Sequence, residues 1–123
     1  MDHKKRLAVV EDNPDNRLLV RAMLEDYYDI EEYENGKDAL AGLRADLPDL
    51  VLLDISLPVM DGILILKEIR ADARLRALPV IALTAYAMAG DREKYLAAGF
   101  DNYLSKPIVD EELLLSAISA SLQ

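Results

Sequence analysis

Short apolar runs alternate with amphipathic stretches along the whole chain, a pattern typical of repeated βαβ units around a parallel sheet. Most of the runs are almost continuously apolar, as expected for strands that are buried on both faces. The second run is polar, which suits a strand at the edge of a sheet. The predicted strands are about Leu7–Val10, Asp29–Tyr33, Asp49–Leu53, Pro79–Leu83 and Asp101–Ser105.

Five helices are predicted after these strands, because helix caps and helical spacing follow each of them. Asn13-Pro14 supplies a cap and an initial proline for a first helix that continues to about Asp26. Its expected inner face is formed by Leu19, Ala22 and Met23. The second helix opens at Asn35-Gly36 and closes at Pro48-Asp49, the third is about Gly62–Arg70, the fourth contains Asp91–Ala98 with Gly99 as its C-cap, and Asp110 caps the fifth. The predicted fold is therefore α/β, a flavodoxin-like (βα)5 three-layer sandwich with strand order 2-1-3-4-5 or one close to it.

Composition narrows the class of protein. A chain of 123 residues with 52% hydrophobic and 30% charged residues suits one soluble domain, which we expect to span 1–123. No apolar run approaches the length of a membrane helix, and the N-terminus lacks a signal peptide, so we expect no membrane association and a cytoplasmic location. The absence of cysteine excludes disulfides and zinc-thiolate sites. A net charge of −9 argues against nucleic acid as a partner.

Polar residues follow four of the predicted strands at the point where each strand ends. Glu11 and Asp12 follow the first strand, Asp54 the third, Thr84 the fourth and Lys106 the fifth. In open α/β sheets ligands bind outside the carboxyl ends of the strands, and these ends share one edge. We therefore expect three acids, a hydroxyl and an amine to meet there.

This set of side chains indicates a site for Mg²⁺ and phosphate. Neighbouring carboxylates repel one another unless a cation lies between them, and oxygen ligands without histidine or cysteine favour a hard ion. Lys106 would balance the acids and pair with a phosphoryl oxygen, to which Thr84 could donate. Taken singly, the acids could be helix caps, Lys106 a surface ion-pair partner and Thr84 a strand-end residue. Their combination favours the phosphate site.

The chain resembles the receiver domains of two-component response regulators over essentially its whole length. The matching motifs are Glu11-Asp12-Asn13, Asp54 within the segment LLDISLPVMDG, Thr84-Ala85 and Lys106-Pro107-Ile108. The resemblance implies a phosphoacceptor, Asp54, that takes a phosphoryl group from a phosphohistidine in a Mg²⁺-dependent reaction. It also implies that Asp54, Thr84 and Lys106 carry the chemistry.

The same resemblance assigns binding roles. Asp12, Asp54 and the backbone carbonyl of Ser56 would ligate Mg²⁺, and Glu11 would help through water. Thr84, Ala85 and Lys106 would bind the phosphoryl oxygens. Phosphoryl transfer needs positioning and charge neutralisation more than covalent work, which suits such a site.

The family also implies a conformational switch, in which a threonine moves toward the phosphoryl group and an aromatic residue turns inward. In this chain these residues are Thr84 and Tyr103, and the output face is helix four, strand five and helix five. Ser56 and Tyr86 occupy positions that flank the attacking water and tune the lifetime of the phosphoryl group. We expect the bulky Tyr86 to shield the acyl phosphate and to make autodephosphorylation slow.

The phosphodonor is expected to be another protein, a sensor histidine kinase or a histidine phosphotransfer protein, because the single histidine, His3, lies in a charged terminus. The resemblance implies docking on the first helix, near Arg17, Leu18 and Arg21. No output domain is expected after Gln123, so the output would be contact with a downstream protein target rather than enzymatic activity. A receiver excised from a hybrid histidine kinase is the alternative.

Three other classes of protein fit less well. A flavodoxin-like electron carrier would place a phosphate-binding loop after the first strand, where Glu11 and Asp12 would repel a flavin phosphate. A haloacid-dehalogenase-like phosphatase would carry its nucleophile after the first strand with a second aspartate two residues later, whereas Asp54 follows the third strand and is followed by Ser56. A receiver-like module that is never phosphorylated is disfavoured by the intact acidic set.

Overall fold

In the computed structural model, which describes residues 4–57, 61–84, 91–106 and 110–122, strands and helices alternate from one end of the chain to the other. The elements are β1 (Arg6–Val10), α1 (Pro14–Leu24), β2 (Asp29–Tyr33), α2 (Gly36–Ala45), β3 (Leu50–Asp54), α3 (Gly62–Ala71), β4 (Val80–Thr84), α4 (Asp91–Ala98), β5 (Asn102–Ser105) and α5 (Glu111–Ser121). The strands form one parallel sheet in the order β2-β1-β3-β4-β5. The predicted fold class and strand order are confirmed.

The register of the sheet brings the carboxyl ends of its central strands together. Val10 at the end of β1 pairs with Leu53 of β3, and Asp54 at the end of β3 pairs with Leu83 of β4. Thr84 in turn pairs with Ser105 at the end of β5. Residues that immediately follow β1, β3, β4 and β5 therefore start from neighbouring positions on one edge.

The two faces of the sheet bury two hydrophobic cores, because successive side chains of a strand point to opposite faces. In β3, Val51 and Leu53 enter one core while Leu50 and Leu52 enter the other. The first core is completed by residues of α2, α3 and α4, and the second by residues of α1 and α5. The central strands β3 and β4 are buried along their whole length, whereas edge strand β2 is partly exposed.

The predicted inner face of α1 is wrong for Leu19 and Ala22 but is confirmed for Met23, which packs against the core. Val20 and Leu24 are the buried residues of this helix, and Met23 is partly buried. Leu19 is 39% exposed and Ala22 is also exposed. Val20 and Leu24 stand one turn apart and so share a face, and a helix that carries several apolar residues offers more than one such stripe.

Helix caps place the starts of α1, α2, α3 and α5 where the sequence predicts them. Asn13, Asn35 and Asp110 each accept hydrogen bonds from backbone N–H groups in the first turn of their helix, and Asp61 does the same for α3. The far ends differ by a few residues, since α1 ends at Leu24 rather than near Asp26 and α2 ends at Ala45, before Pro48. Within the described ranges no helix combines the length and the apolar character needed to cross a membrane.

Candidate active site

Three carboxylates form a tight cluster at the carboxyl edge of the sheet. Glu11, Asp12 and Asp54 each place one carboxylate oxygen within 4.8 Å of the others. Glu11 and Asp54 are each 1% exposed, whereas Asp12 is exposed. Asp54 is the last residue of β3, and the acids follow β1 directly, so the predicted convergence of the three acids is observed. The cluster is open to solvent on the side of Asp12.

Lys106 is the cation that faces this cluster. Its Nζ lies 2.8 Å from Oε1 of Glu11 and 3.2 Å from Oδ2 of Asp54. The backbone N–H of Lys106 donates to the carbonyl of Thr84 at 2.8 Å, which continues the pairing of β4 with β5. The ladder of the sheet thus fixes the residue that carries the ammonium, and the ammonium joins the two buried carboxylates.

Backbone N–H groups hold the other oxygen of each of the two buried carboxylates. The N–H of Asn13 donates to Oε2 of Glu11 at 3.2 Å, and the N–H of Ser56 donates to Oδ1 of Asp54 at 3.0 Å. The guanidinium of Arg17 donates to the carbonyl of Glu11 at 2.8 Å and makes a longer bond, 3.3 Å, to that of Asp12. Sequence reasoning placed Arg17 only on a docking face. Its position one turn after the cap Asn13, where a helical side chain leans back toward the N-terminus, is the signal that points to this supporting contact.

Burial and charge shift the protonation of this cluster. Burial raises the pKa of Glu11 from its usual 4.5 to about 7; the neighbouring Asp54 adds to the rise and the hydrogen bond from Lys106 opposes it. Burial lowers the pKa of Lys106, but the hydrogen bond with Glu11 and the charge of Asp54 outweigh this and raise it. Lys106 therefore stays charged at neutral pH. The folded chain holds the Glu11 proton to higher pH than the unfolded chain, so the metal-free protein loses stability through this group as the pH rises from 4.5 to about 7.

The donor set fits a hard divalent cation. All three clustered side chains offer carboxylate oxygen, the ligand type that suits Mg²⁺ and Ca²⁺. With every group ionised, three carboxylates and one ammonium leave two negative charges, which a divalent cation neutralises. The exposed carboxylate of Asp12 would let a cation enter and retain part of its water shell, which suits Mg²⁺.

Metal affinity is expected to depend on pH through Glu11. A cation at the cluster competes with the Glu11 proton, so Mg²⁺ should bind about tenfold more tightly at about pH 8 than at about pH 6. Calorimetric titration of the metal-free chain across this range measures the change. In Glu11→Gln, which cannot titrate, the pH dependence should flatten; an equally steep dependence in that variant would show that another group releases the proton.

Thr84 and Tyr103, the two residues of the predicted switch, lie on the neighbouring strands β4 and β5. Thr84 ends β4 and is fully buried, and its Oγ1 lies 3.4 Å from the hydroxyl of Tyr95 on α4. Tyr103 is half-buried and packs against Tyr95, with ring centroids 6.1 Å apart. Sequence reasoning missed Tyr95, because no motif or local pattern links a tyrosine of α4 to a strand end eleven residues earlier.

Two predicted site residues, Ala85 and Tyr86, lie outside the described residues, as do Pro107 and Ile108 of the last motif. Their roles in phosphoryl binding and in autodephosphorylation stay predictions. Ser56 is described and exposed, and its N–H binds Asp54, while the metal-ligand role of its carbonyl also stays a prediction.

Comparison with known proteins identifies the family. The sequence model of the response regulator receiver domain family matches residues 7–119 of this chain. This chain belongs to that family. It is 43% identical over 105 residues to the polar-differentiation response regulator DivK of Brucella anthropi, covering 85% of each chain. It is also 44% identical over 108 residues to the signal transduction histidine-protein kinase BarA of Escherichia coli, where the match covers 87% of this receiver and only 12% of the kinase.

Solved structures agree with this assignment. The receiver domain of the sensor histidine kinase PA1611 from Pseudomonas aeruginosa superimposes with a TM-score of 0.88 at 36% identity, covering 98% of both chains. That structure contains a magnesium ion coordinated in its active-site cleft. This chain is therefore a phosphoacceptor module of two-component signalling. Receiver domains of this family interact with histidine kinases or phosphotransfer proteins.

Proposed function

We propose that Asp54 is the residue that accepts the phosphoryl group, and that phosphorylation switches a surface that a downstream protein reads. The observation that carries this proposal is the environment of the Asp54 carboxylate. It is 1% exposed at the end of β3, one oxygen accepts from the Ser56 N–H, and the other faces the Lys106 ammonium. Glu11 and Asp12 lie within the same cluster. Held in this way, the carboxylate of Asp54 keeps one oxygen beside the Lys106 ammonium, which could neutralise the charge of an incoming phosphoryl group.

In the proposed reaction an oxygen of Asp54 attacks the phosphorus of a phosphohistidine. The new P–O bond makes an acyl phosphate, the P–N bond breaks, and the donor imidazole leaves with its electron pair and takes up a proton. The Lys106 ammonium, 3.2 Å from the Asp54 carboxylate in this structure, would pair with a phosphoryl oxygen. Thr84 would donate its hydroxyl to another, and Ala85 its backbone N–H.

Magnesium is the proposed cofactor. Asp12, Asp54 and the Ser56 carbonyl would hold it directly, and Glu11 would hold it through water. Bound there, the ion would shield the charge of the carboxylates and help to neutralise that of the incoming phosphoryl group. The oxygen-only donor set supports this assignment. The magnesium ion described for the related receiver of PA1611 supports it independently.

The proposed donor is a sensor histidine kinase or a histidine phosphotransfer protein that docks on α1, and the proposed setting is the cytoplasm. Leu18 supports this docking site because its side chain is 66% exposed. Arg17 and Arg21 instead pair inward with Glu32 at 3.6 Å and 2.6 Å, so they would frame the site more than protrude from it.

The proposed output face is α4, β5 and α5. Relatives include both DivK, of similar length, and much longer kinases, so the receiver works either alone or as part of a hybrid kinase.

The proposal is tested by incubating the chain with acetyl phosphate and Mg²⁺ and measuring its intact mass. A single phosphoryl adduct is expected, and peptide mapping should place it on the peptide that contains Asp54. Chelation of Mg²⁺ should prevent the adduct from forming. An adduct that forms equally well in chelator, or that maps to another segment, would contradict the proposed site.

A further inference from the structure

Tyr95 on α4 contacts both residues of the proposed switch. Its hydroxyl lies 3.4 Å from Oγ1 of Thr84, and its ring lies 6.1 Å, centroid to centroid, from the ring of Tyr103 at an interplanar angle of 45°. The ring of Phe100 also packs against that of Tyr95, edge-on and with centroids 6.1 Å apart. Tyr95 is only 5% exposed, so these contacts lie in the core.

The sheet register places these residues on one face. Ala82 and Thr84 are two positions apart in β4 and therefore point to the same side of the sheet. Tyr103 of β5 pairs with Ala82, and both belong to or pack against the core that α4 covers. Ala82 contributes only a methyl group between the two larger side chains. Tyr95 packs in the same core and contacts both Thr84 and Tyr103. A movement of either residue would therefore change the surroundings of Tyr95.

The hydrogen bond between the hydroxyls of Thr84 and Tyr95 can readily be exchanged for a bond to another partner. At 3.4 Å it is longer than the usual O–H···O distance of about 2.8 Å, and it is correspondingly weak. The hydroxyl of Tyr95 is buried, however, and a buried hydroxyl needs a partner. When the Thr84 hydroxyl turns to a phosphoryl oxygen, the Tyr95 hydroxyl loses this contact. The phosphorylated and unphosphorylated states therefore differ at Tyr95, and a contact that differs between two states biases their equilibrium.

We propose that Tyr95 is a positioning residue of the phosphorylation switch, which holds Thr84 in its unphosphorylated arrangement and transmits the movement of Thr84 to α4. This inference rests on the proposed function, since it requires Thr84 to respond to a phosphoryl group at Asp54. Phosphorylation reaches α4 through one tyrosine that also packs on Tyr103. Position 95 thereby sets how readily the receiver adopts its active state.

The test removes one oxygen atom from Tyr95 and keeps the ring. Wild type, Tyr95→Phe and Tyr28→Phe are each titrated with the phosphoryl analogue beryllofluoride in the presence of Mg²⁺, and the unfolding midpoint of each variant is measured in parallel. Tyr28 is a matched control because it is half-buried against the core on the opposite face of the sheet. Tyr95→Phe should bind beryllofluoride about two- to threefold more tightly than wild type, since the active state no longer gives up a weak hydrogen bond.

A purely structural role for Tyr95 would change the unfolding midpoint and leave the affinity for beryllofluoride unchanged. Equal or weaker binding by Tyr95→Phe, or tighter binding of the same size by Tyr28→Phe, would overturn the inference while wild-type binding upholds the proposed function. Failure of wild type to bind beryllofluoride would instead remove the proposed function, and this inference with it. As a second variant, Tyr95→Phe in a Thr84→Val background should have no further effect on affinity, because the partner hydroxyl is already gone.

Discussion

Asp54→Asn is expected to abolish the phosphoryl adduct, with a loss of at least about 100-fold in the rate of labelling by acetyl phosphate. The amide has the shape of the carboxylate but is a poor nucleophile, and it carries no charge to attract Mg²⁺ or Lys106. It can still accept the hydrogen bond from the Ser56 N–H, so the loop after β3 should keep its conformation. Intact mass after incubation with acetyl phosphate and Mg²⁺ measures the loss.

Asp61→Asn provides the matched control. Asp61 lies close to Asp54 in the chain, but its carboxylate caps α3 by accepting from the N–H of Leu64, and it is not part of the acidic cluster. Asparagine is as good an N-cap as aspartate, so this variant should keep both its stability and its adduct. Retained labelling of Asp54→Asn would mean that another carboxylate accepts the phosphoryl group. Equal loss in Asp61→Asn would mean that the loss is not specific to position 54.

The edge of the sheet that carries the site was predictable from sequence because it depends on local features. A buried strand shows as an apolar run, and the residue at its end is found by counting along the chain. Asp54 and Lys106 were placed in this way, and the parallel topology then brings them within 3.2 Å of each other. The predicted ends of β3 and β4 were each one residue too early, because Asp54 and Thr84 are the last residues of these strands rather than the first residues after them.

Features that depend on packing between distant elements were not predictable in the same way. Leu19 and Val20 are adjacent apolar residues of α1, and only the orientation of the helix on the sheet decides that Val20 is buried and Leu19 is 39% exposed. The contact of Tyr95 with Thr84 depends in addition on where α4 lies over β4. Sequence spacing fixes which residues share a face of one element, but not which residues of another element meet that face.

The buried acids link the electrostatics of the site to its function. Glu11 and Asp54 are held together out of water with Lys106 as their shared partner, an arrangement that costs solvation energy. A divalent cation at the open side of the cluster would offset the remaining repulsion, and a phosphoryl group would give the Lys106 ammonium a new partner. The free cluster is thus charged in a way that favours a cation, and Lys106 offers the positive charge that a phosphoryl group would need.

Gly62→Ala is expected to have the largest effect on stability, lowering the free energy of unfolding by about 2 kcal/mol or more. Gly62 begins α3, and its N–H donates to the carbonyl of Ile55 at 3.0 Å. A Cβ added here would lie 2.5 Å from the backbone oxygen of Asp54 and 2.8 Å from Cα of Ile55. Both atoms belong to the backbone that carries Asp54, so they cannot move aside without shifting its carboxylate. Urea denaturation measures the loss, and labelling by acetyl phosphate should slow in the same variant.

Gly42→Ala separates this effect from the general consequence of adding a methyl group to a helix. A Cβ at Gly42 would overlap the ring of Tyr33, but that ring is the end of a half-buried side chain on edge strand β2 and can swing outward. Alanine also favours the helical conformation by about 1 kcal/mol over glycine, which offsets the cost of moving the ring. Gly42→Ala should therefore stay within about 1 kcal/mol of wild type. Equal destabilisation by the two variants would show that the close approach of α3 to the Asp54 backbone is not what requires glycine at position 62.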